Sequence, residues 1–188
     1  MTRTVDLESR ARLLERVSEY VVKHGLHDLS LRPLAQAVDS SPRMLLYHFG
    51  SKEELVAAVL RRTRERQMEM FEKMCGSDLM TEQAMHGAVW ATMSDPKFAP
   101  YMILFFEAYS IALRDPKRFP GFLENAVEDW LSFLSPDRTI ATIKLAGYRG
   151  FMLDLAATGD RKRITAAVEV WVDSLELLTP KKGHRRAQ

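Results

Sequence analysis

Between Leu29 and Leu55 the sequence reads LSLRPLAQAVDSSPRMLLYHFGSKEEL, and the side chains in it best suited to recognition chemistry are Arg43, Met44 and Tyr47. With Leu45 and Phe49 turned inward, one helical turn apart, Arg43 and Tyr47 point outward and Met44 sits beside them. A guanidinium, a phenolic hydroxyl and a thioether on one exposed face can meet base edges in a DNA major groove. The same residues also suit the solvated face of an ordinary two-helix corner, so residue types alone leave both readings open.

Three helix starts position this face. Ser30 precedes LRPLAQAV, Ser41-Pro42 precedes RMLLYHF, and Ser51 with Glu54 three residues later forms a capping-box pattern. Val38-Asp39-Ser40 is long enough only for a tight turn, so the first two helices must cross sharply, as in a helix-turn-helix. Asp39 stands where a left-handed residue is commonly needed, a conformation Asp tolerates better than most. Upstream, Leu13, Leu14, Val17, Tyr20 and Val21 form one apolar stripe of a helix from Leu7 to His24, ended by Gly25. Leu29 and Leu34 have the spacing of a hydrophobic staple, and Leu31, Leu34, Ala35 and Val38 face inward.

The remaining chain reads as helices throughout. A long helix from Ser51 to Cys75 carries Arg61, Arg62, Arg64 and Arg66 on a solvated or salt-bridged face. Proline and aspartate then divide segments near 81–94, 99–114, 119–134, 138–158 and 161–178. The expected fold is all-α with about nine helices: residues 1–50 a helix-turn-helix head, 51–180 a helical body, and 181–188 a basic, solvated tail. Tyr101 to Leu113, YMILFFEAYSIAL, is apolar around nearly its whole circumference except Glu107, and is expected to run through the middle of the body.

At 46% hydrophobic residues, the 188-residue chain can fill a core without staples. Lone Cys75 excludes an intramolecular disulfide, and five scattered histidines give no metal-ligand spacing, so neither metal nor cofactor is expected. No long uncharged apolar run and no apolar leader precede the first helix, which gives the expectation of a cytoplasmic protein. The net charge of +2 conceals basic ends around an acidic middle, a pattern that fits a nucleic-acid-binding head on a body with another task.

The order of helix one, L-S-L-R-P-L-A-Q-A, turn, S-P-R-M-L-L-Y-H-F and S-K-E-E-L resembles the N-terminal DNA-binding region of the tetracycline-repressor (TetR) family of bacterial transcriptional regulators, over residues 7 to 60. The chain departs from that family's habit at Asp39, Ser40, Arg43, Met44 and Leu46. By position the resemblance implies that Ser30 and Ser41 cap helices two and three at the DNA surface, Ser30 touching a phosphate. It implies Arg32 at a guanine edge or the backbone, Arg43, Met44 and Tyr47 in the major groove, and His48 and Lys52 on phosphates.

It also implies an interior cavity for a small hydrophobic or aromatic effector. Candidate lining comes from Met85, Trp90, Met93, Tyr101, Phe105, Phe122, Trp130, Tyr148 and Phe151, with His86, Glu107, Tyr109 or Arg149 as polar handles. The last two helices, through Ile143, Gly147, Gly150, Val168, Trp171 and Leu175, are expected to pair with a second chain, giving a homodimer on a double-stranded, pseudo-palindromic operator. The expected function is a ligand-released repressor, not an enzyme; the alternative is a helical small-molecule-binding protein or enzyme using the same apolar interior.

Overall fold

The structure is a computed structural model that describes residues 2–75 and 81–178. Among the described residues there are nine α-helices and no strand. They are α1 Thr2–His24, α2 Leu31–Ala37, α3 Pro42–Phe49, α4 Lys52–Cys75, α5 Glu82–Met93, α6 Ala99–Arg114, α7 Phe122–Leu134, α8 Arg138–Thr158 and α9 Arg161–Leu178. The expected basic tail at 181–188 and the side chain of Cys75 lie outside the described residues.

Local chemistry sets the helix ends. Ser41 Oγ accepts from Met44 N–H at 3.2 Å and Ser51 Oγ from Glu54 N–H at 3.1 Å, each satisfying one free donor of a first turn. Ser30 occupies the start of α2 with extended backbone, but its hydroxyl makes no cap bond. Asp39 takes φ of +48°, the left-handed conformation that the short turn demands. α1 begins at Thr2 instead of Leu7, and α7 begins at Phe122 instead of 119, because a 3-10 turn at Pro116–Arg118 and Gly121 with φ of +76° precede it.

Two cores result. The first gathers Val17 and Val21 of α1, Leu34 of α2, Leu45 and Phe49 of α3, Leu55 and Val59 of α4, and Leu104, Ala108 and Ala112 of α6. Burying one such leucine contributes roughly 1.5–3 kcal/mol, so the short α2 and α3 hold their crossing by this packing and not by helix propensity. The second gathers Phe71 of α4, Trp90 and Met93 of α5, Met102 of α6, Leu131 of α7, Leu145 and Tyr148 of α8, and Ile164 and Val168 of α9.

Both α4 and α6 pass from one core to the other, so the first core continues past residue 50. α6 is central but not enclosed: Ile103 and Leu113 are 57% and 61% exposed, Ile103 facing a groove between the end of α1 and α8.

Candidate nucleic-acid interface and interior cavity

With Leu45 fully buried and Phe49 nearly so, the outer face of α3 presents exposed Arg43, Met44, Leu46 and Tyr47. Ser30, Arg32 and Ser41 are exposed on the same corner, whereas His48 and Lys52 are half-buried. Lys52 stands at the start of α4 and lines a small groove with Leu26, Leu29 and Arg118.

The position of α3 is fixed from α1 by a residue that sequence reasoning missed. Arg10 donates from Nε to the His48 carbonyl oxygen at 3.0 Å, and its guanidinium lies 4.8 Å from the Phe49 ring centroid. One cation thus satisfies a carbonyl at the end of α3 and stacks on its core anchor.

Of the arginine cluster on α4, three members bridge helices. Arg62 Nε donates to Glu15 of α1 at 2.7 Å, Arg66 also meets Glu15, and Arg64 pairs with Asp129 of α7 at 2.8 Å. The hydrogen bond to Glu15 holds the Arg62 pKa above its ordinary value against the opposing effect of burial.

A cavity lies between α4, α6, α7 and α8, in two adjoining lobes that share Gln67, Tyr101, Phe105 and Trp130. One lobe, of about 90 Å³, adds Thr63, Arg64, Phe122 and Asn125; the other, of about 50 Å³, adds Phe71, Met93, Tyr148 and Arg149. Six of the expected lining residues, Met93, Tyr101, Phe105, Phe122, Trp130 and Tyr148, therefore stand at the cavity. Tyr109 lies just behind, its ring 5.5 Å from Phe105.

The other candidates lie elsewhere. Glu107 turns toward the head, where its Oε2 accepts from the Leu26 N–H at 2.7 Å. Trp90 donates from Nε1 to Thr165 Oγ1 of α9 at 2.9 Å, Phe151 lies between Trp90 and Trp171, and Met85 packs on the second core.

His86 is 1% exposed and belongs to a buried polar cluster between α5 and α8. Its Nδ1 shares a 2.5 Å hydrogen bond with Tyr148 Oη, and its Nε2 lies 3.7 Å from Glu82 Oε1. Glu82 also takes Lys144 Nζ, a buried ammonium that reaches the Leu134 carbonyl oxygen at 3.3 Å. Burial, then the nearby Lys144 charge, push His86 down to about 4, with Glu82 opposing both. The hydrogen bond from Lys144 holds Glu82 below the usual carboxylate value.

On α8 and α9 the expected interface residues divide. Val168 and Leu175 are buried within the chain, and Gly147 is covered by Trp171 so closely that a Cβ would lie 2.3 Å from Trp171 Cζ2. Gly150 is open, and Ile143, Leu153 and Val170 remain 36%, 54% and 68% exposed. Among the described residues no group of three His, Cys, Asp or Glu could hold a metal ion, and no helix is long and apolar enough to cross a membrane.

Residues 18–59 match the family model for bacterial regulatory proteins of the tetR family. The HTH-type transcriptional regulator UidR of Escherichia coli K12 is 31% identical over 65 residues, a stretch covering 35% of this chain and 33% of UidR. Among solved structures, a protein from Rhodococcus sp. described as a TetR-family regulator superposes with a TM-score of 0.67 at 15% identity over 88% of this chain and 99% of its own. GusR of Salmonella enterica gives 0.63 at 18% identity, covering 90% and 95%. The multidrug binding protein EbrR, complexed with imidazole, gives 0.67 at 22% identity, covering 94% and 97%. Residues 18–59 therefore carry a head of the tetR-family type, on an all-helical fold shared almost end to end with these structures.

Proposed function

We propose that the protein is a transcriptional regulator that binds a pseudo-palindromic DNA operator as a homodimer and releases it when a small molecule enters the cavity. The observation that carries this reading is the outer face of α3, where Arg43, Met44 and Tyr47 are exposed around a fully buried Leu45. In this role Arg43, Met44 and Tyr47 read bases, while Ser30, Arg32, Ser41, His48 and Lys52 hold the backbone. The Ser30 hydroxyl, exposed and making no cap bond, supports a phosphate contact. Residues 1–50 serve as the reading head and 51–180 as the sensing and pairing body.

Ile143, Gly150, Leu153 and Val170, exposed along the outer side of α8 and α9, supply the apolar surface for a two-fold helix pairing. The cavity among Tyr101, Phe105 and Trp130 is the effector site, and EbrR, a multidrug binding protein with this fold, supports such a use of it. Release requires the effector to bind the DNA-free arrangement better than the bound one; tight binding alone would shift nothing. Electrophoretic mobility shift on the DNA upstream of the gene, and on a selected DNA pool, tests the reading. Failure to find any sequence-specific binding at moderate salt would overturn it.

A further inference from the structure

Three guanidinium groups and no carboxylate line the two lobes of the cavity. Their situations differ. Arg64 is paired with Asp129 at 2.8 Å, and Arg61 is exposed, its charge screened by water. Arg149 alone lies in the apolar lobe, half-buried among aromatic rings, with no carboxylate within ion-pair distance among the described residues. Its guanidinium stands 5.5 Å from the Phe105 ring centroid and 5.4 Å from that of Tyr109, and its Nη2 donates to the Ala126 carbonyl oxygen at 2.5 Å. The Ala126 carbonyl takes one of the five N–H donors on that group and the Tyr109 side chain another, and the others remain for a partner.

A second polar group at the cavity has no hydrogen-bond partner among the described residues. Thr63 is 7% exposed, its Oγ1 is buried with no hydrogen bond among the described residues, and it lines the adjoining lobe. Unpaired polar atoms in a low-dielectric interior are costly until a ligand answers them.

We infer that the effector is an organic anion, an aromatic or apolar body whose carboxylate is held by Arg149 and whose second polar group meets Thr63. This rests on reading the cavity as the effector site. Three features select the class. A carboxylate matches the guanidinium fork bidentately, an arrangement stronger and more directional than neutral hydrogen bonds. Cationic ligands would meet the repulsion of Arg149, which already covers the Phe105 ring. Neutral ligands would displace water from Arg149 and leave its charge uncompensated. Burial already disfavours the charged form of Arg149, in keeping with a site whose countercharge arrives with the ligand.

Isothermal titration calorimetry on the full chain tests this with matched carboxylic acids, primary amides and primary amines built on benzene, naphthalene, biphenyl and indole. The acids are expected to bind at least about tenfold tighter than the amide and amine of the same core, tenfold being 1.4 kcal/mol. Arg149→Gln should abolish that preference while leaving the weak amide binding in place, and Arg149→Lys should restore part of it. Equal or better binding by amines or amides, no acid bound at millimolar concentration, or an acid preference that survives Arg149→Gln would overturn the inference. The comparison of ligand classes on the unaltered protein stands even if the variants fail to fold. Mobility shifts run in parallel separate the two readings. Acids that bind without releasing DNA overturn the proposed switch and support the anion site; specific DNA binding with no acid bound does the reverse.

Discussion

Glu107, in the middle of α6, accepts a 2.7 Å hydrogen bond through Oε2 from the backbone N–H of Leu26. The contact fastens the loop between α1 and α2 to the helix that carries Tyr101 and Phe105 into the cavity. Gly25 belongs to the same contact: its φ is +74°, and a Cβ there would lie 2.9 Å from that carboxylate oxygen.

Glu107→Ala should therefore leave the Leu26 amide without its partner and cost about 1–3 kcal/mol of stability. Urea unfolding gives the magnitude, and amide hydrogen exchange at Leu26 gives the location. Glu107→Gln, which keeps an acceptor, should recover much of the loss; unchanged exchange in Glu107→Ala would refute the role.

On the head, Arg43→Ala is expected to weaken operator binding by about 1–3 kcal/mol and relax one base position. Lys52→Ala should weaken binding to all sequences alike and lower the salt slope by about one. Titrations at several salt concentrations on operator and scrambled DNA distinguish the two. Equal, sequence-blind losses would remove base reading from Arg43.

Much of this geometry could be read from the sequence because it depends on neighbours in the chain. The Ser41 cap, the left-handed Asp39 and the inward Leu45 and Phe49 each follow from residues within a turn or two. Arg10 and Glu107 could not be read in the same way. Their partners are a backbone carbonyl 38 positions away and a backbone amide 81 positions away, and backbone groups carry no signature in the sequence. From the sequence, Glu107 therefore reads as a polar handle for a ligand. Gly147 poses a related difficulty: a small residue admits a close neighbour without saying whether that neighbour is another chain or, as here, Trp171 of the same one.

The buried cluster around His86 predicts a pH dependence of stability. Because His86 is held down to about 4 in the folded protein against an ordinary value of 6.5, the unfolded chain binds the proton more readily between those values. Its contribution is complete above about 6.5 and is lost as pH falls toward 4, on the order of 3 kcal/mol in all. Glu82, also lowered, acts in the same direction at the acid end of that window. Thermal unfolding from pH 7.5 to 5 should fall in Tm, and His86→Gln should flatten the fall; an equally steep fall in the variant would place the titration elsewhere.

Gly147 and Gly150 make a controlled pair on α8. Alanine at 147 forces a Cβ to 2.3 Å from Trp171 and should destabilise by about 1–3 kcal/mol. Alanine at 150 meets nothing within 4 Å and should stabilise the single chain by about 0.5–1 kcal/mol through helix propensity. Chemical unfolding of the two variants reads the contrast directly.

The passage of α4 and α6 through both cores bears on portability. Cut at residue 50, the head would lose Leu55 and Val59 of α4 and Leu104 and Ala108 of α6, all of which close its interior. Grafting the reading helices onto a foreign partner therefore requires carrying a copy of α6, or a substitute for its apolar edge, along with them. The excised fragment should stay unstructured, and the intact chain should melt in a single cooperative step.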